Sequence, residues 1–141
     1  MKSILITLLS GFTALLCGQT LDVRITYIRN SKGQICVALF ADEAGFRAER
    51  TVLEAKYSKK NVVNGQIRVQ ISIPPGKYGL SVLDDENGNG KMDYNFLGVP
   101  LEGFGFSDYI QKGFRKPLVE DFDFIIQKNE LKCITVQMKY F

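Results

Sequence analysis

Histidine and tryptophan are absent from the 141 residues of this chain. Without histidine, Ser–His and Cys–His nucleophilic systems are excluded, and so are zinc sites with a histidine ligand. Acid–base chemistry would have to come from carboxylates, as in glycosidases, which use a pair of them around the scissile bond. The candidates for such a pair are Asp84, Asp85, Asp93, Glu102, Glu120 and Asp121.

A strong excess of charge of either sign is also lacking. The chain has 18 basic and 15 acidic residues, which leave a net charge of +3, and the basic residues are scattered along the chain. A nucleic-acid-binding protein would show a basic patch or stripe, so this class of partner is not expected. The 45% hydrophobic and 23% charged residues are ordinary for a globular protein with a packed core, and the length favours one domain.

Long apolar runs are absent except at the N terminus. Lys2 precedes an apolar stretch over residues 4–17, which is shorter than the roughly 20 residues of a transmembrane helix. A basic residue followed by such a stretch is typical of a secretory signal peptide. We therefore predict a signal peptide over residues 1–18 and a single mature domain over residues 19–141, without a membrane span and in the periplasm or outside the cell.

Cysteine is scarce, and one of its three positions falls in the predicted signal peptide. Cys17 stands where a lipoprotein would be acylated, but Leu16 precedes it instead of a small residue, so ordinary cleavage is favoured. Cys36 and Cys133 would remain in an oxidising compartment. A disulfide between them requires Cα atoms within about 7 Å, and two separate small apolar side chains are the alternative. The sequence leaves both open.

The predicted mature domain alternates apolar and polar residues with the two-residue period of half-buried strands. Turn-forming residues such as Asn64-Gly65 and Pro74-Pro75-Gly76 separate these segments. Because no stretch of ten or more residues has a sustained helical period, we predict an all-β fold, an antiparallel β-sandwich of Ig-like topology with about seven strands. The first two strands are expected to pair as a hairpin. The predicted strands are 21–27, 34–40, 52–57, 67–73, 77–83, 122–126 and 134–140.

A long loop over residues 84–120 is the exception to this pattern. Loops of this length in a compact domain are usually functional or disordered, and the many Phe and Tyr residues disfavour disorder. Between residues 96 and 109 aromatic residues alternate with glycines. These rings either contact a glycan, a peptide or a neighbouring protein, or fold back as a lid on one end of the sandwich.

The loop begins with the spacing of a calcium site. Oxygen-bearing side chains fall at loop positions 1, 3, 5 and 9, and glycine falls at position 6, where the backbone must turn sharply. The bidentate Glu of the last loop position is replaced by Phe96, so Glu102, Asp84 or water would have to substitute. The alternative is a turn in which the Asn–Gly pairs supply positive φ. The predicted ligands of a weak calcium site are the side chains of Asp85, Asn87, Asn89 and Asp93 and the main-chain carbonyl of Lys91.

Three motifs carry a resemblance to one bacterial family. They are Pro74-Pro75-Gly76-Lys77-Tyr78, the acidic loop 85–93 and Asn95-Phe96-Leu97-Gly98-Val99-Pro100. Together they resemble the exported family catalogued as domain of unknown function 2141, over essentially the whole predicted mature chain. Asp84 stands where members of that family usually show a histidine, so a histidine-dependent role is not expected. The resemblance implies export and a prealbumin-like or carboxypeptidase-regulatory-like sandwich, and it implies no activity.

These features predict an exported, non-catalytic binding or structural module of the bacterial envelope, supported by calcium. Its partner would be an envelope protein or a glycan of unknown identity. The alternative is a carboxylate-dependent hydrolase acting on an envelope polysaccharide. A third reading is a purely structural domain in which the long loop serves as a lid.

Overall fold

The computed structural model describes residues 18–141, so the predicted signal peptide lies outside the described residues except for Gly18. Within this range there are eight strands and one short α-helix, and no helix is long and apolar enough to cross a membrane. Short 3₁₀ turns follow β3 and precede β7. In chain order the elements are β1 Thr20–Thr26, β2 Gln34–Phe40, α1 Glu43–Arg47, β3 Leu53–Ser58, β4 Ile67–Ser72, β5 Gly76–Asp85, β6 Gly103–Phe106, β7 Asp123–Ile126 and β8 Leu131–Gln137.

The strands form two stacked sheets, which confirms the predicted all-β sandwich. The three-stranded sheet has the order β4-β1-β8, and the five-stranded sheet has the order β3-β2-β5-β6, with β7 paired to the first half of β5. All strand pairs are antiparallel except β1 and β8, which run parallel. The sandwich is therefore mostly, but not wholly, antiparallel.

An aliphatic core fills the space between the sheets. Leu21, Val23 and Ile25 of β1 are fully buried, and β4 alternates buried and exposed residues along its whole length. This alternation follows from the pleat, which directs successive side chains to opposite faces of a sheet. Full burial of one such side chain stabilises a fold by about 1.5–3 kcal/mol relative to exposure, so the two-residue period in the sequence specifies the fold.

The expected hairpin of the first two strands is wrong. β1 pairs with β4 and β8, whereas β2 pairs with β3 and β5, so the turn at Asn30-Ser31-Lys32-Gly33 carries the chain from one sheet to the other. Both strands present a buried aliphatic face, and these faces meet across the core. A short polar turn between two strands therefore did not decide whether they pair or face each other.

β6 is the strand that the sequence did not predict, and it lies inside the segment 84–120. Its sequence, Gly103-Phe104-Gly105-Phe106, places both glycines on the core face, where a side chain would collide. A Cβ on Gly103 would overlap the ring of Tyr140, and one on Gly105 would lie 2.6 Å from Val136 Cγ1. Glycine is rare in strands, so its presence hid a strand that packs by close backbone approach. The irregular segment is correspondingly shorter than predicted, since β5 also extends to Asp85.

The two cysteines of the described chain are free. Cys36 lies on the outer face of the five-stranded sheet, in register with Leu83 of β5. Cys133 is an exposed residue of β8 in the other sheet. The sandwich therefore separates them, which resolves the disulfide question against pairing. Burial, assisted by the nearby Asp85 carboxylate, raises the pKa of the Cys36 thiol to about 11, so it stays protonated and unreactive at neutral pH.

Candidate functional site

The loop over residues 85–93 is wound around the carboxylate of Asp85, the last residue of β5. Asp85 is fully buried, and its Oδ2 accepts hydrogen bonds from Gly90 N at 2.8 Å and Gln34 Nε2 at 2.7 Å. Its Oδ1 accepts one from Asn89 N at 3.1 Å. Gly90 has φ +79°, which only glycine adopts without strain at such a turn. The carboxylate predicted as the first ligand is thus the centre of the loop.

The other side chains predicted as ligands also converge, and they contact one another. Asn87 Nδ2 and Asn89 Nδ2 donate hydrogen bonds to Asp93 Oδ2 at 2.6 and 2.8 Å. The Asn87 and Asn89 side-chain oxygens accept from backbone N–H groups two residues further on, which tightens the loop. Two partially positive amide groups therefore converge on one carboxylate. Within residues 18–141, no three His, Cys, Asp or Glu side chains stand at metal-binding geometry.

Glu102 lies beside this loop, although it is far along the chain from Asp85. A turn over residues 94–101 brings it back: Tyr94 bridges Pro100, and Leu101 N donates to Asp93 O at 2.8 Å. Glu102 Oε1 then accepts from Glu86 N at 3.0 Å, at the start of the loop. Of the two substitutes that the sequence offered for the missing last ligand, the structure brings this one to the loop.

The second oxygen of Glu102 is unusual, because it is buried without a hydrogen-bond partner. The residue as a whole is 4% exposed. Burial raises the pKa of its carboxyl above the ordinary value, the backbone N–H groups of Asn87 and Asp93 oppose that rise, and the charges of Asp85 and Asp93 add to it. A buried carboxylate next to two others costs free energy unless a proton or a cation compensates it.

Asp84, the other suggested substitute, is not available to the loop. It precedes Asp85 in a strand, so its side chain points to the opposite face, into the sandwich. There Lys59 Nζ lies 2.5 Å from its Oδ1, and Tyr140 donates its hydroxyl to Oδ2 at 2.6 Å. The Lys59 and Asp84 side chains are both fully buried. Burial and this hydrogen bond raise the pKa of Tyr140, so the phenol remains a donor.

The remaining candidate carboxylates lie outside the loop. Asp121 accepts from Leu118 N at 2.9 Å and caps a 3₁₀ turn, and Glu120 beside it is exposed. Of the six candidates for carboxylate chemistry, three therefore lie in or beside the loop over residues 85–93, which are Asp85, Asp93 and Glu102.

A groove that the sequence did not reveal lies on the outer face of the five-stranded sheet and has a volume of about 500 Å³. One side is a cluster of aromatic residues, in which Phe46 of α1 packs edge to face on Phe40, Phe106 and Phe122. The calcium-like loop contributes Gly90, Lys91 and Met92 to the lining. Part of the aromatic segment thus folds back on the sheet, whereas Phe96 at the tip of the turn is 95% exposed. A groove between a sheet and its loops has no sequence period, so no local pattern could have shown it.

Comparison with known proteins gives a family and no relative of known activity. The family model described as uncharacterized protein conserved in bacteria (DUF2141) matches residues 23–133, which is most of the chain. No curated protein and no solved structure matches the chain. The protein belongs to this bacterial family.

Proposed function

We propose that this family member is an exported, non-catalytic binding module of the bacterial envelope, whose loop 85–93 is stabilised by a calcium ion that Glu102 helps to hold. The side chains of Asp85, Asn87, Asn89 and Asp93, the carbonyl of Lys91 and the carboxylate of Glu102 would supply the oxygens. The binding surface is the segment 84–120, which the ion would fix in place.

The observation that carries this proposal is the unpartnered, buried Oε2 of Glu102 beside Asp85 and Asp93. The charges of Asp85 and Asp93 repel the carboxylate of Glu102, and a divalent cation bound among these residues would remove this repulsion. No ion pair within the described residues involves Asp85, Asp93 or Glu102. Calcium suits the donors, because it takes six to eight oxygens from carboxylates, amide groups and backbone carbonyls in flexible geometry.

Calcium binding would require a small rearrangement of the loop. Asn87 and Asn89 now direct amide nitrogens to Asp93, so these amides would rotate to present oxygen to the ion. The hydrogen bonds that hold the loop to Asp85 need not change, since Asp85 Oδ1 accepts only one of them and keeps acceptor capacity. The site would be weak, with a dissociation constant of about 10⁻⁴ to 10⁻³ M, which is the range of extracellular modules.

Thermal unfolding with and without calcium tests the proposal. At calcium about ten times the dissociation constant, binding adds about 1.4 kcal/mol and raises Tm by about 3–6 °C. Magnesium at the same concentration should raise Tm less, because it demands a smaller octahedral site. Asp93→Asn and Glu102→Gln should each abolish the calcium response. Asp85→Ala should abolish it too, but this change also removes the hydrogen bonds that shape the loop.

Glu102→Gln is the sharpest variant, because its two expected effects have opposite signs. Without calcium the neutral side chain should not destabilise the fold, since it relieves repulsion and leaves an oxygen for Glu86 N. With calcium the variant should be less stable than the parent protein. The control is Glu120→Gln, an exposed acid outside the loop, which should keep the full calcium response. If Glu102→Gln responds to calcium like the parent, Glu102 is not a ligand of the ion. If the parent protein shows no response to calcium, the proposed calcium site is contradicted.

One observation favours the second candidate function, a carboxylate-dependent hydrolase of an envelope polysaccharide. The raised pKa of Glu102 beside Asp93 resembles the acid and base pair of a glycosidase, in which one carboxyl stays protonated. Against it stands the burial of Glu102, which leaves little room for a sugar at its carboxyl. Hydrolysis of a glycan panel by the parent protein, abolished in Glu102→Gln at unchanged stability, would replace the non-catalytic proposal.

The export part of the proposal has a separate test. N-terminal sequencing of the protein from its native host should find it in the periplasm or the medium, with a new N terminus near residue 19. A protein that keeps Met1 and stays in the cytoplasm would contradict export and leave the cation site untouched.

A further inference from the structure

The groove on the outer face of the five-stranded sheet has the size of a small-molecule site. Its volume of about 500 Å³ falls within the roughly 300–1,000 Å³ of typical ligand pockets. The floor contains Ala38 of β2 and Ser81 of β5, which are register partners on the outer face. Two small side chains side by side leave space above the sheet, and Phe104 and Phe106 of β6 border that space. An apolar ligand of moderate size would be surrounded by aromatic rings.

Gln111 gives this groove an unsatisfied acceptor. The residue is 6% exposed and lines the groove. Its amide nitrogen donates hydrogen bonds to three backbone carbonyls, of which Arg115 O is the nearest at 2.6 Å. Its Oε1, in contrast, is buried without a hydrogen-bond partner. A buried amide oxygen without a partner costs free energy, and a small shift of the Gln111 side chain that brings this oxygen into the groove would let a ligand N–H or O–H group recover it.

The charged side chains of the groove point to an anion. Four of them are basic and two are acidic. No ion pair of the described residues uses any of the four basic groups. Lys116 Nζ instead lies 4.2 Å from the centre of the Phe46 ring, at the junction of the aromatic wall and the charged residues. These charged residues are Lys56, Lys91, Arg115, Lys116, Glu49 and Glu54.

We propose that this groove binds a small amphipathic anion with an apolar body, a hydrogen-bond donor and one acidic group. The body lies on the floor between the rings, the donor pairs with Gln111 Oε1, and the acidic group pairs with the basic residues. The inference rests on the proposed function, because it names the ligand class of the binding module, and Lys91 and Met92 join the groove to the cation loop.

Two fluorescent probes of nearly the same shape test the ligand class. Anilinonaphthalene sulfonate has aromatic rings, one N–H group and a sulfonate, whereas phenylnaphthylamine keeps the rings and the N–H group without the charge. The folded protein should bind the sulfonate with one-to-one stoichiometry and about fivefold more tightly than the neutral probe, as expected for one or two exposed charge contacts. Equal affinities, or multiple sites, would overturn the proposal.

Two variants locate the binding in the groove. Arg115→Gln combined with Lys116→Gln should weaken the sulfonate about fivefold and leave the neutral probe within about twofold. Lys60→Gln combined with Lys128→Gln removes the same charge at exposed positions outside the groove and should change neither affinity. Ala38→Leu fills the floor and should weaken both probes more than about tenfold, with Tm checked to confirm folding. Unchanged binding in Ala38→Leu would place the probes elsewhere and overturn the proposal.

Measuring both probes with and without calcium separates this inference from the proposed function. A calcium-induced rise of Tm without probe binding would overturn the groove proposal alone. Charge-dependent probe binding in a protein that ignores calcium would support the groove and overturn the cation site. Tighter sulfonate binding in calcium, lost in Asp93→Asn, would support both.

Discussion

The two faces of the five-stranded sheet differ in their side chains and in their exposure. The inner face is aliphatic and closed: Leu80 and Val82 of β5 are buried against the other sheet. The outer face is aromatic and partly open, with Ser81 and Leu83 of the same strand lining a groove. The contrast extends to two consecutive acids, since Asp84 is neutralised by Lys59 inside the sandwich and Asp85 organises a loop outside it. A difference of one residue along a strand thus separates a stabilising role from a proposed functional one.

The largest effect is expected from Lys59→Met on the inner side. It leaves the Asp84 charge buried with Tyr140 as its remaining partner, and breaking a buried ion pair on one side costs about 3–5 kcal/mol. Urea unfolding measures this loss. The matched change on the outer face is Lys56→Met, which removes a lysine without an ion pair among the described residues and should cost less than about 0.5 kcal/mol. Similar costs at both positions would remove the contrast between the faces.

A double variant shows whether the buried pair is needed for more than its own charge balance. Lys59→Met combined with Asp84→Leu removes both charges and should recover most of the stability lost in the single variant. A double variant as unstable as Lys59→Met alone would mean that the cost comes from packing and not from the unpaired carboxylate.

A medium loss of stability is expected when a glycine on the core-facing side of β6 is replaced. Gly105→Ala adds a Cβ 2.6 Å from Val136 Cγ1 and 2.7 Å from Gln137 O, and such overpacking costs about 1–3 kcal/mol. Phe104→Leu on the outer side of the same strand should cost less than about 1.5 kcal/mol, because Phe104 is only partly buried and the change keeps an apolar side chain there. Chemical unfolding of the two variants measures both. A harmless Gly105→Ala would show that the sheets are less tightly packed at β6 than the structure indicates.

The smallest expected effect is the dependence of stability on pH that comes from Glu102. Burial and the nearby carboxylates raise the pKa of Glu102, so the folded protein holds this proton more tightly than the unfolded chain. Its contribution to stability is therefore present below the unfolded value near 4.5 and is lost as pH rises through the folded pKa. Unfolding free energies of Glu102→Gln minus those of the calcium-free parent should accordingly increase over this pH window. A difference that stays constant with pH would show that Glu102 is already compensated.

The sequence predicted the inner face well and the outer face poorly, for a physical reason. Aliphatic residues at every second position identified most strands, because burial against a core leaves a local period. β6 was not predicted, since its core-facing positions are glycines. They allow the backbone to approach the other sheet closely, and they leave no hydrophobic period in the sequence. The β1–β2 hairpin was wrong, because a turn sequence does not distinguish pairing in one sheet from crossing between two.

The residues of the candidate site also fall into those that the sequence predicted from local spacing and those that it did not. The spacing of Asp85, Asn87, Asn89 and Asp93 is local. The Asn87 and Asn89 side chains bond to Asp93, and Asp85 accepts hydrogen bonds from the loop backbone. Glu102 was only one of several substitutes, because its return to the loop depends on the turn over residues 94–101. Gln111 and the groove could not be predicted at all, since their neighbours come from distant strands.

By itself the sequence determined the sandwich, its aliphatic core and an acidic loop tightened by glycine, because each depends on side chains a few positions apart. Only the tertiary structure decided which acid lies inside with Lys59, which carboxylate returns to the loop and where an aromatic groove opens. These features arise where segments far apart in the chain meet, and their energies depend on burial and on charges that no local pattern records.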